Sequence, residues 1–201
     1  MAVDLERALR LAGMRPVPRL HARHGVDLSG KRILLTGASS GIGLERWHDV
    51  ERTMIINYYA PLRLIRGLAP GMIERGDGHV INVSSWRVMP ESSPLFSVYN
   101  ASKAALSAVS RVIDNEMADY GVHSTTIYYP LVDTPMIAPT RAYQGLAALS
   151  ADEAAQWMVT AARHRPIRIT PRRTLALRAL DIVSPRLLNS VTKRSTPKSA
   201  V

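Results

Sequence analysis

Ile33-Leu-Leu-Thr-Gly-Ala-Ser-Ser-Gly-Ile-Gly43 is a short apolar run that breaks into a glycine-rich turn. Lys31 to Thr36 has the length and apolar content of a strand buried on both faces, the kind found in parallel sheets. Gly41 to Gly43 then opens a helix. Glycines in such a turn let the backbone approach a pyrophosphate, and the helix N-terminus offers unpaired N–H groups to its charge. An ordinary strand-to-helix turn has much the same composition, so the reading depends on what lies downstream.

Downstream, helices and strands alternate. From Trp47 to Arg75 apolar residues recur at threes and fours (Met54, Ile55, Tyr58, Leu62, Ile65, Leu68), which predicts a helix bent or interrupted by Pro61 and Pro70. Gly76-Asp-Gly78 ends it, and His79 to Ser84 reads as a second strand. Trp86 to Val98 reads as a loop. Tyr99 to Tyr120 is the strongest helix, with an apolar stripe of Ala101, Ala105, Ala108, Val109, Val112, Ile113 and Met117, and Gly121 stops it. His123 to Tyr129 is a third strand, stopped by Pro130. Asp133 to Leu149 is a loop. Ser150-Ala-Asp-Glu153 matches a capping box, which predicts a helix to about Arg163, and Pro166 to Thr170 reads as a fourth short strand. This alternation predicts an α/β fold around a parallel sheet.

Composition narrows the function. A chain of 201 residues with 46% apolar content supports one globular core. There is no cysteine, so disulfides and thiolate metal sites are excluded, and the six histidines show no metal-ligand spacing. No apolar run approaches the ~20 residues of a membrane span, and Met1-Ala-Val-Asp-Leu-Glu-Arg7 has no signal-peptide core. The expectation is a cytoplasmic protein, with peripheral membrane contact as a further option. The net charge of +10 is uneven: residues 163–201 hold ten Lys or Arg against one acid, Asp181. Such a tail attracts phosphates or simply stays solvated, and no nucleic-acid motif accompanies it, so nucleic acid is not an expected partner. Within it Leu175, Leu177, Leu180, Ile182, Val183, Leu187 and Leu188 intermix with Arg172, Arg173, Arg178 and Arg186. A short helix there, limited by Pro185, presents an apolar side flanked by cations, suited either to an anionic membrane or to covering the core. The expected division is 1–28 as an N-terminal extension, 29–170 as the domain and 171–201 as a basic tail.

Two segments carry chemistry. Tyr99 and Lys103, at i and i+4, stack on one helix face. Reducing a carbonyl needs a proton donor at the nascent alkoxide. A free tyrosine has a pKa of about 10, and an ammonium one turn away stabilises the phenolate and lowers it. Ser85 lies fourteen residues before Tyr99 at the end of the second strand, where its hydroxyl would orient a carbonyl; Ser84 is the rival, and either could merely cap the strand.

Taken in order, Thr36-Gly37-x-x-x-Gly41-x-Gly43, Ser85 and Tyr99-x-x-x-Lys103 resemble the short-chain dehydrogenase/reductase family. The resemblance implies a Rossmann-like three-layer fold and hydride transfer between NAD or NADP and a carbonyl or alcohol. It implies Asn57, Ser85, Tyr99 and Lys103 as catalytic residues, the asparagine holding a relay water and the lysine also holding the nicotinamide ribose. For the cofactor it implies Thr36, Gly37, Ser39, Ser40, Gly41, Ile42, Gly43, Tyr99, Lys103, Pro130 and Thr134. Thr134 would contact the nicotinamide carboxamide, and Leu131 stands where the family usually has glycine. The N-terminal extension, the run Pro94 to Lys103 and the basic C-terminus look like those of reductases acting on fatty-acyl or oxoacyl lipids. The family's habit of pairing subunits through the Tyr99–Tyr120 helix implies a homo-oligomer.

The resemblance breaks in one place. Only thirteen residues separate Gly43 from Asn57. The family places further βαβ units there, each needing about 30 residues. Leu44-Glu-Arg-Trp-His-Asp49 reads as a junction between the start of one helix and the start of another. The expectation is an incomplete sheet that lacks several strands of its N-terminal half, and with them the adenosine pocket and the residues that choose NAD or NADP. A catalytically impaired relic that keeps only its oligomerisation surface is the alternative reading.

Overall fold

The computed structural model describes residues 34–36, 47–94, 96–135 and 146–194. The N-terminal extension and the turn Gly37 to Gly43 lie outside them. Strand β1 (Leu34–Thr36) is followed by helix α1 (Trp47–Met54), a π-helical turn (Ile55–Tyr59) and α2 (Ala60–Glu74). Then come β2 (Gly78–Ser85), α3 (Ser97–Met117), β3 (Val122–Tyr129), α4 (Ala151–His164), β4 (Arg168–Ile169), α5 (Arg172–Val183) and α6 (Pro185–Arg194).

All strands pair in parallel in the order β1-β2-β3-β4. One face of the sheet packs on α2 and α3 through Ile65, Met72, Val80, Ile113 and Val122. The other packs on α4 through Ile81, Ile127 and Ala161. Each such fully buried aliphatic side chain contributes about 1.5–3 kcal/mol. This is the three-layer α/β architecture, with an incomplete sheet among the described residues. A complete dinucleotide fold runs 3-2-1-4-5-6, with its first strand in the middle. Here β1 has β2 on one side, and the described residues supply no strand on the other, so the strand that should be central is an edge.

Local chemistry explains most element ends. Ser150 and Glu153 form both halves of the capping box, Glu153 N–H donating to Ser150 Oγ at 3.1 Å and Ser150 N–H to Glu153 Oε2 at 2.8 Å. Gly121 closes α3 at φ +72°, and a Cβ there would lie 2.0 Å from the Gly76 carbonyl oxygen. His79 fastens β2 to β3. Thr125 Oγ1 donates to the Pro166 carbonyl, so His79 Nε2 donates to Thr125 Oγ1 at 2.8 Å. Burial holds that imidazole neutral, lowering it to about 4.

Two helical expectations are corrected. Pro61 does not interrupt the Trp47–Glu74 path. The π turn directly before it shifts the hydrogen-bond register, and Pro61 falls in the first turn of α2, where a missing N–H costs little. In α3 the apolar stripe coincides with the buried face only in part: Ile113 is buried, and Val109 and Met117 pack against the core. Ala101, Ala108 and Val112 (50% exposed) point outward. The inward face is Ser102, Lys103, Leu106, Ser107, Ser110, Ile113 and Asp114. Small hydroxyls let the helix approach the sheet, and they are satisfied there: Ser110 Oγ bonds Ser124 Oγ at 2.7 Å, and Asp114 Oδ1 accepts the Ser124 N–H at 2.9 Å.

Candidate active site

Parallel strands deliver their carboxyl ends to one edge of the sheet, where α/β proteins bind ligands. Ser85 ends β2 opposite Tyr129 at the end of β3, and Pro130 and Thr134 follow Tyr129. Thr36 ends β1 opposite Asn82. Asp133 N–H donates to the Leu149 carbonyl and Leu149 N–H to the Leu131 carbonyl, both at 2.8 Å, which pins the segment carrying Thr134 to the start of α4.

Helix α3 brings Tyr99 and Lys103 to this edge. Lys103 is 1% exposed, and its Nζ donates to the Val83 carbonyl at 2.9 Å and lies 5.9 Å from the centre of the Tyr99 ring. Desolvation lowers this ammonium to about 8. An ammonium buried beside a half-exposed phenol is costly to build, and perturbed groups of this kind concentrate where proton chemistry occurs. Asn57 is fully buried in the π turn, a geometry common at functional sites. Its Nδ2 donates to Ser102 Oγ at 3.1 Å, and Ser102 Oγ donates to the Tyr99 carbonyl at 2.8 Å. Asn57 is therefore joined through Ser102 to the Tyr99 backbone, one helical turn from Lys103.

The two serines separate. Ser84 is 2% exposed and turned to α3, where Ser107 Oγ donates to its hydroxyl at 2.8 Å. Ser85 caps the short 3-10 turn Trp86–Val88, accepting the Arg87 N–H at 3.3 Å. That turn is tied to the helix start: Asn100 Nδ2 donates to the Arg87 carbonyl at 3.3 Å, the Arg87 guanidinium lies 4.5 Å from the Phe96 ring centre, and Phe96 meets Tyr99 edge-on at 6.4 Å. Ser85 is thus linked to Tyr99 through Arg87 and Phe96. The rival phenol, Tyr129, stacks on Trp157 and donates to the Ala154 carbonyl, and burial pushes it up to about 12. It is a packing residue.

Ser102 and Ser107 escaped the sequence reading, although Ser102 lies three residues after Tyr99 and Ser107 four after Lys103, on the face those residues define. Gly37, Ser39, Ser40, Gly41, Ile42 and Gly43 lie outside the described residues. Among those described, no group of three His, Asp or Glu side chains is placed to hold a metal.

The short chain dehydrogenase family profile matches residues 45–145, half of the chain, and begins just past the glycine turn. A fatty acyl-CoA reductase of Mycobacterium tuberculosis is 49% identical in an alignment covering 94% of this chain and 95% of that protein. A fatty acyl-CoA reductase of Acinetobacter baylyi is 48% identical over 125 residues, 62% of this chain and 42% of its own length. A short-chain dehydrogenase of Burkholderia cenocepacia, solved in complex with NADP, superposes with a TM-score of 0.67 at 18% identity, covering 94% of this chain and 74% of that one. The chain belongs to the short-chain dehydrogenase/reductase family of oxidoreductase enzymes.

The mycobacterial alignment is also longer than this chain. It spans 279 positions against the 201 residues here, so at least 78 positions of the relative face no residue of this chain. A nicotinamide dinucleotide, the family's cofactor, thus meets a divided site. The buried Lys103–Tyr99–Asn57 cluster fits its nicotinamide end. Its adenosine end fits poorly, because the described residues supply no strand to form the second wall of the crevice beside β1.

Proposed function

We propose that this chain carries the carbonyl-handling half of a nicotinamide-dependent reductase acting on apolar or acyl substrates. The observation that carries the reading is the buried Lys103 ammonium 5.9 Å from the centre of the Tyr99 ring, with Asn57 joined through Ser102 to the Tyr99 backbone. Bound NAD or NADP would supply hydride to the carbonyl carbon. Tyr99 would give its hydroxyl proton to the carbonyl oxygen, and Lys103 would stabilise the phenolate left behind. Ser85 would orient the carbonyl by donating to its oxygen. Asn57 would hold the proton-relay water that resupplies Lys103. Thr36, Pro130 and Thr134 would border the nicotinamide, and the glycine turn from Gly37 to Gly43 would meet the phosphates. Two relatives named as fatty acyl-CoA reductases support an acyl substrate.

In this reading residues 29–170 are the catalytic unit, preceded by an extension at 1–28 and followed by the basic tail at 171–201. The outward Ala101, Ala108 and Val112 face of α3 supports a homo-oligomer. The missing wall beside β1 favours impaired catalysis, limited by cofactor capture. Incubation with an acyl-CoA and NADPH or NADH tests the proposal. We expect slow aldehyde formation, the thiohemiacetal left by hydride and proton addition breaking its C–S bond to release coenzyme A as the thiol, at a rate that keeps rising with cofactor concentration without saturating. Turnover undetectable at high cofactor, on acyl-CoA and on simple ketones alike, would leave the oligomerisation relic as the better reading.

A further inference from the structure

Helices α5 and α6 turn one side to the domain and the other to solvent. Thr174 and Leu188 are fully buried. Ser92 Oγ donates to Asn189 Oδ1 at 2.6 Å, and Arg178 Nη1 reaches the Met89 carbonyl at 3.5 Å. The helix pair is therefore docked on the segment that leads out of Ser85. The opposite side exposes Leu175 (40%), Ile182 (75%), Val183 (82%), Leu187 (53%) and Val191 (43%). So the tail's aliphatic residues divide: Leu188 covers the core, whereas these five do not.

The same helices carry Arg172, Arg173, Arg186, Lys193 and Arg194, all exposed, against one acid, Asp181, whereas Arg178 is turned to the Met89 carbonyl. We propose that the α5–α6 surface docks the protein on an anionic lipid bilayer, aliphatic side chains in the headgroup–acyl boundary and cations on the lipid phosphates. The charge balance selects this occupant. A uniformly basic rim complements an anionic surface and repels a second copy of itself. No described helix is long and apolar enough to cross a membrane, so the contact is peripheral. Given the acyl-substrate reading above, docking here would set the Ser85–Tyr99 edge near the phase in which acyl chains partition.

The test is vesicle flotation of the full chain with phosphatidylcholine alone or with added phosphatidylglycerol, at low and high salt. It needs neither substrate nor cofactor, so it stands or falls apart from the reductase reading. Flotation should require phosphatidylglycerol and weaken with salt. Each neutralised cation should lower partitioning about fivefold, so the Arg172→Gln/Arg173→Gln pair should lose more than tenfold. Ile182→Glu/Val183→Glu should abolish flotation; both positions are exposed, so its melting should match wild type. Should that pair fail to fold, the arginine pair decides. Equal flotation with neutral vesicles, none with anionic ones, or an arginine pair that floats like wild type would overturn the proposal. Self-association abolished by the glutamate pair, without flotation, would assign the surface to a second copy.

Discussion

Tyr99→Phe is expected to lower whatever reductase turnover the chain has by about a hundredfold to ten-thousandfold, with little change in thermal melting. The substitution removes one hydroxyl. The ring keeps its edge contact with Phe96 and its place one turn from Lys103. Nearby phenols offer no replacement, since Tyr129 points into α4 and holds its proton up to about 12. A steady-state assay of both proteins decides the matter, and unchanged turnover in the variant would show that another group supplies the proton.

Lys103→Met is expected to abolish activity and raise stability. Burial lowers this ammonium from 10.5 to about 8, so the folded state gives up protons that the unfolded state keeps. The sign follows by linkage. At neutral pH the whole cost of burying the charge is present, on the order of 3 kcal/mol. It diminishes as pH rises from about 8 toward 10.5, where wild-type stability should climb. Methionine keeps most of the side chain's length and carries no charge, but it leaves the Val83 carbonyl without this donor, a loss of about 1 kcal/mol. The net gain near pH 7 is about 1–2 kcal/mol, or roughly 2–8 °C in Tm for a chain of this size. The gain should shrink at alkaline pH. Melting curves from pH 7 to pH 10 check it, and a variant less stable at pH 7 would show that the lysine's hydrogen bonds outweigh its desolvation.

Strand and helix order was legible because the punctuation is chemical. The Ser150–Glu153 box, the left-handed Gly121 and the apolar runs of β2 and β3 each admit one local structure. The thirteen-residue gap between Gly43 and Asn57 foretold the incomplete sheet, since no βαβ unit fits into it. The inward face of α3 was legible only in part: Ile113, Val109 and Met117 do pack inward, whereas Ser102, Ser107, Ser110 and Asp114 were not read as buried. Alanine and valine are the default core residues, and a serine-lined face is recognisable as buried only once Ser124, Thr126 and Asp114 are seen to satisfy it. The π turn was hidden for a related reason. Helical periodicity is the same on both sides of it, and Pro61 read as a breaker although it enters at a helix start. Among site residues, the Tyr99–Lys103 spacing was plain, whereas the Ser107 hydrogen bond that turns Ser84 toward α3 was not.

In the proposed reading the site keeps its nicotinamide end and lacks its adenosine wall. Calorimetric titration of the chain with NADPH and with NADH, alongside the mycobacterial fatty acyl-CoA reductase as comparator, tests it most directly. Dissociation constants of about 1 mM or weaker are expected for this chain, equivalent to no more than about 4 kcal/mol of binding free energy. Micromolar binding of either cofactor to the chain as it stands would contradict it.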